Sequence, residues 1–222
     1  GLLERTRFAR APPQSADALH FFAEAGKLAY ADPARYLGNS DFVKIPLEVL
    51  LDANYMSKRA GLIGEKAMAL APPGDTEGGT SHFSIVDARG DIVSMTTTIE
   101  TTFGSRIFVR GFLLNNQLTD FDFAPGGANA VAPGKRPRSS MAPSIVFEKG
   151  KPILAVGSPG GSMIINYVAK ALVGILDWRL DMQPASELPN FGSRNGPTHI
   201  EQGSRYEGLA PQLEARGHQV DR

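Results

Sequence analysis

The chain has 222 residues, 42% of them hydrophobic and 21% charged, with 23 basic side chains against 23 acidic ones. This is the composition of a globular protein with enough length to bury a sizeable core, as one large domain or two small ones. Zero net charge removes any bulk attraction to nucleic acid or an anionic membrane, and the absence of cysteine excludes disulfides, thiolate metal sites and cysteine nucleophiles.

The leading segment reads as helical. Ser15 can cap a helix in which Leu19, Phe22, Gly26 and Ala29/Tyr30 recur on one face, and Pro33 is expected to break it. Pro46 suits the start of a short helix, Leu47 to Leu51, and Tyr55 to Ile63 reads as another. From Ala71 to Gly79 the run Ala-Pro-Pro-Gly-Asp-Thr-Glu-Gly-Gly has loop chemistry and no apolar anchor. At Thr80 the periodicity switches from helical to alternating: His82, Ser84 and Val86 share one face of a strand, Phe83 and Ile85 the other. Ala88-Arg89-Gly90-Asp91 turns the chain, and Ile92 to Ile99 returns as the second arm of a hairpin. A second hairpin is expected from Ser144 to Phe147, a turn at Glu148-Lys149-Gly150-Lys151, and Ile153 to Gly157. An apolar helix, Ile164 to Leu176, follows Gly160-Gly161. There are no repeats, no low-complexity tract and no visible signal segment. No apolar run reaches the roughly 18 residues of a membrane span. The chain has no initiator methionine and starts in loop-like sequence, which reads as a fragment.

The junction Gly78-Gly79-Thr80-Ser81-His82 carries the strongest chemical signal. Cutting the Gly79–Thr80 bond would free an α-amine beside the Thr80 hydroxyl, giving a nucleophile with its own general base. An α-amine titrates near pH 8, so a neutral fraction exists at physiological pH. Thr80 also reads simply as the first residue of a strand, where β-branched residues are favoured. Gly160-Gly161 stands between a buried strand and a helix, which is the form of an oxyanion hole or phosphate cradle, or of a plain tight turn. Nucleotide-binding signatures are absent there. Ser139-Ser140 follows the basic run Lys135-Arg136-Pro137-Arg138, and hydroxyls beside guanidinium groups suit a carboxylate; a solvated turn is the alternative. Gln117 and Asp120 follow an apolar Phe112-Leu113-Leu114 strand, where a carboxylate and an amide carbonyl can receive an ammonium or merely shape a turn. Thr98 alone reads as an ordinary strand threonine. His20, His82, His199 and His218 show no metal spacing, no Gly-x-Ser-x-Gly elbow is present, and no basic patch interleaved with aromatics suggests single-stranded nucleic acid.

Taken in order, Thr80-Ser81-His82-Phe83-Ser84-Ile85-Val86-Asp87, Thr96-Thr97-Thr98-Ile99-Glu100-Thr101-Thr102-Phe103-Gly104, Leu113-Leu114-Asn115-Asn116-Gln117-Leu118-Thr119-Asp120-Phe121, Arg136-Pro137-Arg138-Ser139-Ser140-Met141-Ala142-Pro143 and Gly157-Ser158-Pro159-Gly160-Gly161-Ser162 closely resemble the γ-glutamyltranspeptidases. These are self-cleaving N-terminal-nucleophile hydrolases, and the likeness runs from about Asp32 to the end of the chain.

The resemblance implies an α+β fold, a four-layer αββα sandwich of which this chain holds part. Residues 1–79 correspond to the end of the large subunit, and 80–222 to a small catalytic subunit ending near Val220, short of its last strands. It implies Thr80 as nucleophile, Thr98 as the hydroxyl that orients it, and Gly160 and Gly161 as oxyanion-hole amides. Ser139 and Ser140 would take the substrate α-carboxylate, and Gln117 and Asp120 its α-amine. Glu100 departs from the pattern, standing where many members carry Asn. The Phe121–Lys135 stretch is shorter than in members that have a lid over the pocket, which implies an open site. The expected activity is γ-glutamyl hydrolysis or transfer on glutathione and related amides, with no metal or organic cofactor. The expected partners are the small-molecule substrate, a water or amino-acid acceptor and the rest of the large subunit, with no nucleic acid and no membrane; the location implied is periplasmic or secreted. Within the family the alternative is a glutaryl or cephalosporin-type acylase, for which Gln117 and Asp120 would be idle. Outside it, the alternative is an uncleaved or truncated chain with no catalysis; the family arginine that clamps the α-carboxylate belongs to an earlier part of the large subunit.

Overall fold

Ser15 opens the first helix as its chemistry requires: its hydroxyl accepts the Ala18 amide at 3.2 Å, and α1 runs Ala16–Tyr36. The computed structural model describes residues 1–69 and 79–222, so the expected Ala71–Gly79 linker, Gly79 apart, lies outside the described residues. Two expectations for α1 need correction. The helix continues past Pro33 to Tyr36, because a proline forfeits one donor and a single remaining turn can still close beyond it. Its apolar stripe is also too narrow a description, since every residue from Ala18 to Ala25 is buried, His20 and Glu24 included. A helix buried all round lies inside the molecule rather than on its surface.

After α1 come α2, Leu47–Leu50, and α3, Ala53–Ala60. Asp52 caps α3, accepting the Asn54 and Tyr55 amides at 2.9 Å each, which starts it before the expected Tyr55. β1, Thr80–Val86, and β2, Ile92–Thr98, form an antiparallel hairpin whose register sets Thr80 opposite Thr98. β3, Phe108–Val109, and β4, Phe112–Leu113, form a short ribbon. β5, Ser144–Glu148, and β6, Lys151–Val156, form a third pair. They turn on Lys149 and Gly150, both with positive φ, 50° and 78°, which matches the right-handed twist of the strands. A 3₁₀ turn, Gly161–Met163, leads into α4, Ile164–Leu176, and then α5, Met182–Ser186. β7, Phe191–Ser193, pairs antiparallel with β8, Thr198–Ile200. α6, Ala210–Glu214, follows, and β9, Val220–Asp221, adds parallel to β8. The fold is mixed α/β.

The core joins the two ends of the sequence. Phe8, Leu19, Phe21 and Phe22 pack with Val173, Phe191, Ile200, Tyr206 and Leu213. The Phe22 and Phe191 rings lie 4.7 Å apart, and Tyr206 meets Phe191 edge-on at 5.5 Å. A buried polar knot lies alongside. His20 Nε2 reaches the Gly64 carbonyl at 2.8 Å, His20 Nδ1 meets His218 Nε2 at 2.7 Å, and His218 Nδ1 meets the Thr198 hydroxyl at 2.7 Å. A carbonyl only accepts, so His20 carries its proton on Nε2; His218 Nε2–H then donates to His20, and Thr198 donates to His218. Beside them the Lys27 ammonium sits 2.7 Å from the Glu24 carboxylate, which also accepts the Met68 amide at 2.8 Å.

On the β1–β2 hairpin one face is left bare. The cross-strand pairs Phe83↔Met95 and Ile85↔Val93 are 40%, 47%, 53% and 49% exposed. No described helix is long and apolar enough to cross a membrane.

Candidate active site

Thr80 and Thr98 meet because the hairpin register places them opposite each other, on a face where side chains of directly paired residues touch. Their hydroxyls are 2.9 Å apart. Thr98 Oγ1 also accepts the Glu100 amide at 2.9 Å and lies 3.3 Å from the Gly79 carbonyl oxygen. That carbonyl can only accept, so the Thr98 proton points to Gly79 and the Thr80 hydroxyl donates to Thr98. Gly79 itself is pinned: its amide donates to the Glu100 carbonyl at 2.5 Å and its carbonyl accepts the Ile99 amide at 3.3 Å. A Cβ at residue 79 would stand 2.5 Å from the Thr101 carbonyl oxygen, so only glycine fits.

Glu100, two residues past the end of β2, has a φ of 77°, a conformation an L side chain adopts at a cost of about 1 kcal/mol or more. Its carboxylate is brought to Gln117, whose amide nitrogen donates to Glu100 Oε2 at 3.3 Å and to Asp120 Oδ2 at 2.6 Å. Gln117 and Asp120 lie on one 3₁₀ turn, Gln117–Asp120. The two acids face each other with one amide between them. Burial first, then the neighbouring Asp120 charge, pushes the Glu100 carboxyl above the usual carboxylate range. Burial also raises Asp120, against the lowering effect of its hydrogen bonds. Two like charges in one half-buried site favour holding a proton or a cation between them.

Ser139 and Ser140 reach the same cleft, and the Ser139 hydroxyl accepts the Met141 amide at 3.2 Å. The expected role of the preceding basic run is corrected. Lys135 donates to the Ala128 and Ala130 carbonyls at 2.9 and 2.8 Å, Arg136 faces Asp41 and Arg138 pairs with Asp122 at 3.6 Å. None of the three lines the cleft; Lys135 and Arg136 are engaged in the loop and with Asp41, while the Arg138 charge also lowers the Asp120 pKa.

Gly160 and Gly161 adopt φ values of 132° and 53°. A Cβ on Gly160 would meet the Tyr167 ring at 2.4 Å, so the turn can form here only with glycine. Outside helices and strands, neither glycine's amide donates a backbone hydrogen bond among the described residues. One cleft is therefore lined by Thr80, Thr98, Glu100, Gln117, Asp120, Ser139, Ser140 and Gly161, together with Met141, Ser162 and Ile164. Gly160, its neighbour in the turn, is not among the lining residues.

Two supporting residues carry no signal in the sequence. Asn116 Oδ1 accepts the Thr101 amide at 3.1 Å and its hydroxyl at 3.2 Å, tying the Gln117 turn to the end of β2. Asn129, fully buried, donates to the Asp120 carbonyl at 2.7 Å and accepts the Arg138 amide at 2.8 Å. It thereby joins the acid site to the serine loop. A buried asparagine whose partners are backbone groups nine positions to either side looks in sequence like any loop asparagine. The four histidines show no metal spacing, yet the fold brings His20, Glu24 and His218 together; their nitrogens are engaged in the hydrogen-bonded knot described above.

A threonine pair, an acid pair, a serine pair and a glycine turn around one cleft are groups of the kind that acyl transfer uses. The gamma-glutamyltranspeptidase family is matched over residues 1–222, and the chain belongs to that family. It is 37% identical to the glutathione hydrolase proenzyme of Bacillus subtilis strain 168, over 98% of this chain and 41% of that protein. Among solved structures, the T380A mutant of Helicobacter pylori gamma-glutamyltranspeptidase superposes with a TM-score of 0.59 at 36% identity, over 63% of this chain and 83% of that one. The cephalosporin acylase of Bacillus halodurans gives a TM-score of 0.85 at 27% identity, over 99% of this chain and 41% of that one. The chain thus spans about two fifths of the length of the curated relative it matches.

Proposed function

We propose that the protein is a γ-glutamyl hydrolase or transferase acting on glutathione and related γ-glutamyl amides, activated by its own cleavage at Gly79–Thr80. The observation that carries this is the Thr80–Thr98 contact of 2.9 Å, with Thr98 also on the Gly79 carbonyl. In the uncut chain the Thr80 oxygen attacks the Gly79 carbonyl carbon. The C–N bond breaks, the departing nitrogen takes the hydroxyl proton, and the resulting ester is hydrolysed to a Gly79 carboxylate and a free Thr80 amine.

In the cut enzyme that amine takes the hydroxyl proton as the Thr80 oxygen attacks the substrate γ-carbonyl. The Gly160 and Gly161 amides receive the oxyanion. The C–N bond breaks, the proton goes to the leaving amine, and a γ-glutamyl ester of Thr80 remains. Water releases glutamate from it, or an amino-acid amine takes the γ-glutamyl group. Ser139 and Ser140 bind the α-carboxylate; Glu100, Gln117 and Asp120 receive the α-ammonium. A glutaryl amide, which lacks that amine, would leave the acid pair without its cation and facing an apolar methylene, and this favours the glutamyl substrate over the acylase alternative.

In the same proposal residues 1–79 end the large subunit and 80–222 form most of the small one. The rest of the large subunit then covers the bare Phe83, Ile85, Val93 and Met95 face, completing the four-layer αββα sandwich. The test is amine release from a γ-glutamyl anilide and from its glutaryl counterpart by the full-length protein. Preference for the γ-glutamyl compound is expected; equal turnover of both would move the protein to the acylases.

A further inference from the structure

Two adjacent glycines give the anion turn its shape and deprive it of rigidity, since glycine is the least restrained residue. An oxyanion site works when its donors are fixed before the charge appears, so something outside the turn must hold it. The residue after the glycines, Ser162, is held at both ends. Its hydroxyl is contacted by the Arg194 guanidinium, and its backbone carbonyl accepts the Tyr30 hydroxyl at 2.5 Å. Tyr30 comes from α1, which precedes the Thr80 junction, and its partner lies 132 positions further along the chain.

The sequence of α1 makes this reach feasible. A Cβ at Gly26 would stand 2.7 Å from the Ser193 carbonyl oxygen, so glycine at this position allows α1 to close on β7. Tyr30 follows four residues later on the same side of the helix, and the close approach delivers its hydroxyl to the turn. Burial raises the Tyr30 pKa, so the phenol stays protonated and remains a donor throughout the working range. Beneath, the Tyr167 ring closes the space under Gly160.

We propose that Tyr30 is a positioning residue for the Gly160–Gly161 turn, so that the polypeptide before the junction fixes the anion site of the polypeptide after it. The proposal rests on the reading of this turn as the oxyanion site. It implies that the two products of cleavage share one catalytic geometry, because α1 stays tied to Ser162 after the Gly79–Thr80 bond is gone.

Tyr30→Phe in the full chain keeps the ring and removes the hydroxyl, and two readouts decide the matter. Amide exchange at Met163, which donates to the Gly160 carbonyl at 3.0 Å and closes the turn, should accelerate by about tenfold or more as the turn loosens. Exchange at Leu19 and Phe22, deep in α1, should stay as in the wild type, showing that the fold persists. With a γ-glutamyl anilide, kcat should fall about tenfold with KM changed less than about twofold, and acylation and deacylation should slow alike, because both pass through the same anion. Unchanged Met163 exchange would overturn the positioning role whatever the activity. Faster exchange with KM rather than kcat altered would overturn its link to the anion site. Faster Met163 exchange in a protein whose wild type turns over no γ-glutamyl anilide would uphold the tie and refute the proposed substrate instead.

Discussion

At Thr98 one hydroxyl serves three neighbours: it accepts from Thr80 and from the Glu100 amide and donates to the Gly79 carbonyl. In the proposed self-cleavage its proton would polarise the bond to be broken, and its oxygen would aim the attacking hydroxyl. Thr98→Val keeps the shape and β-branching of the side chain and removes both functions. The uncut fraction, read by intact mass, should rise, and kcat of whatever is cut should fall about a hundredfold, the scale of losing one aligned hydrogen-bond donor. In the proposed binding mode the acid pair sets the pH dependence. Glu100 is raised by burial and by the Asp120 charge, so the pair completes its ionisation later than an isolated acid would, and the proposed ammonium capture should fail below that point. Glu100→Gln removes this upper ionisation, so the acid limb of kcat/KM should move to lower pH. The same change should narrow the preference for γ-glutamyl over glutaryl amides. An acid limb that stays in place would show that the pair does not govern binding.

Elements aim these residues through close backbone approaches rather than side-chain bulk. The β1–β2 register puts Thr80 against Thr98 only while Gly79 lies within reach of the Thr101 carbonyl, where a Cβ would stand at 2.5 Å. Gly79→Ala should therefore slow self-cleavage by an order of magnitude or more, measured as the half-time of chain splitting, while the far end of the hairpin keeps its pairing. Both hairpins and α4 were legible in the sequence because alternation and apolar periodicity are local signals. The carboxylate turn was legible only in part. Gln117 and Asp120 stand out by residue type, but their union with Glu100 depends on Asn116 and Asn129, whose partners on other loop segments no local pattern announces. The basic run before Ser139 misled for the same reason: cations next to hydroxyls in sequence turned to the Asp122 and Asp41 carboxylates and to loop carbonyls in space. Pro33 also misled, since one lost donor does not end a helix that is buried along most of its length.

Across the molecule, the core and the polar knot straddle the junction. Phe8 and Phe22 lie before it and Phe191, Tyr206 and Leu213 after it, while His20 and His218 face each other across the same divide. Cut chains should consequently elute as one particle at neutral pH. Phe22→Ala should destabilise the assembly by about 3–5 kcal/mol, the usual cost of emptying a buried aromatic site. Acid should loosen it in a defined window. Burial lowers the pKa of both histidines, that of His218 to about 3, whereas a released histidine titrates near 6.5. Above about pH 6.5 both forms are neutral and stability is flat. Below it the separated or unfolded chain binds protons that the knot refuses, so stability drops by about 1.4 kcal/mol per pH unit for each histidine until the folded value is reached. Thermal unfolding from pH 7.5 to 4.5 should show this slope, and His218→Gln should flatten it; equal slopes in the two proteins would remove the knot from the account. Nothing in the sequence pairs His20 with His218, because they lie 198 positions apart.

The central claim, that Thr80 is the nucleophile freed by self-cleavage, is tested most directly by intact mass after mixing the full-length protein with a γ-glutamyl anilide and quenching in acid. The account predicts two polypeptides, one beginning at Thr80 and carrying one added γ-glutamyl group, and a single unmodified polypeptide from Thr80→Ala. A chain that splits at this bond in the Thr80→Ala variant, or a γ-glutamyl group found on any other residue, would contradict it.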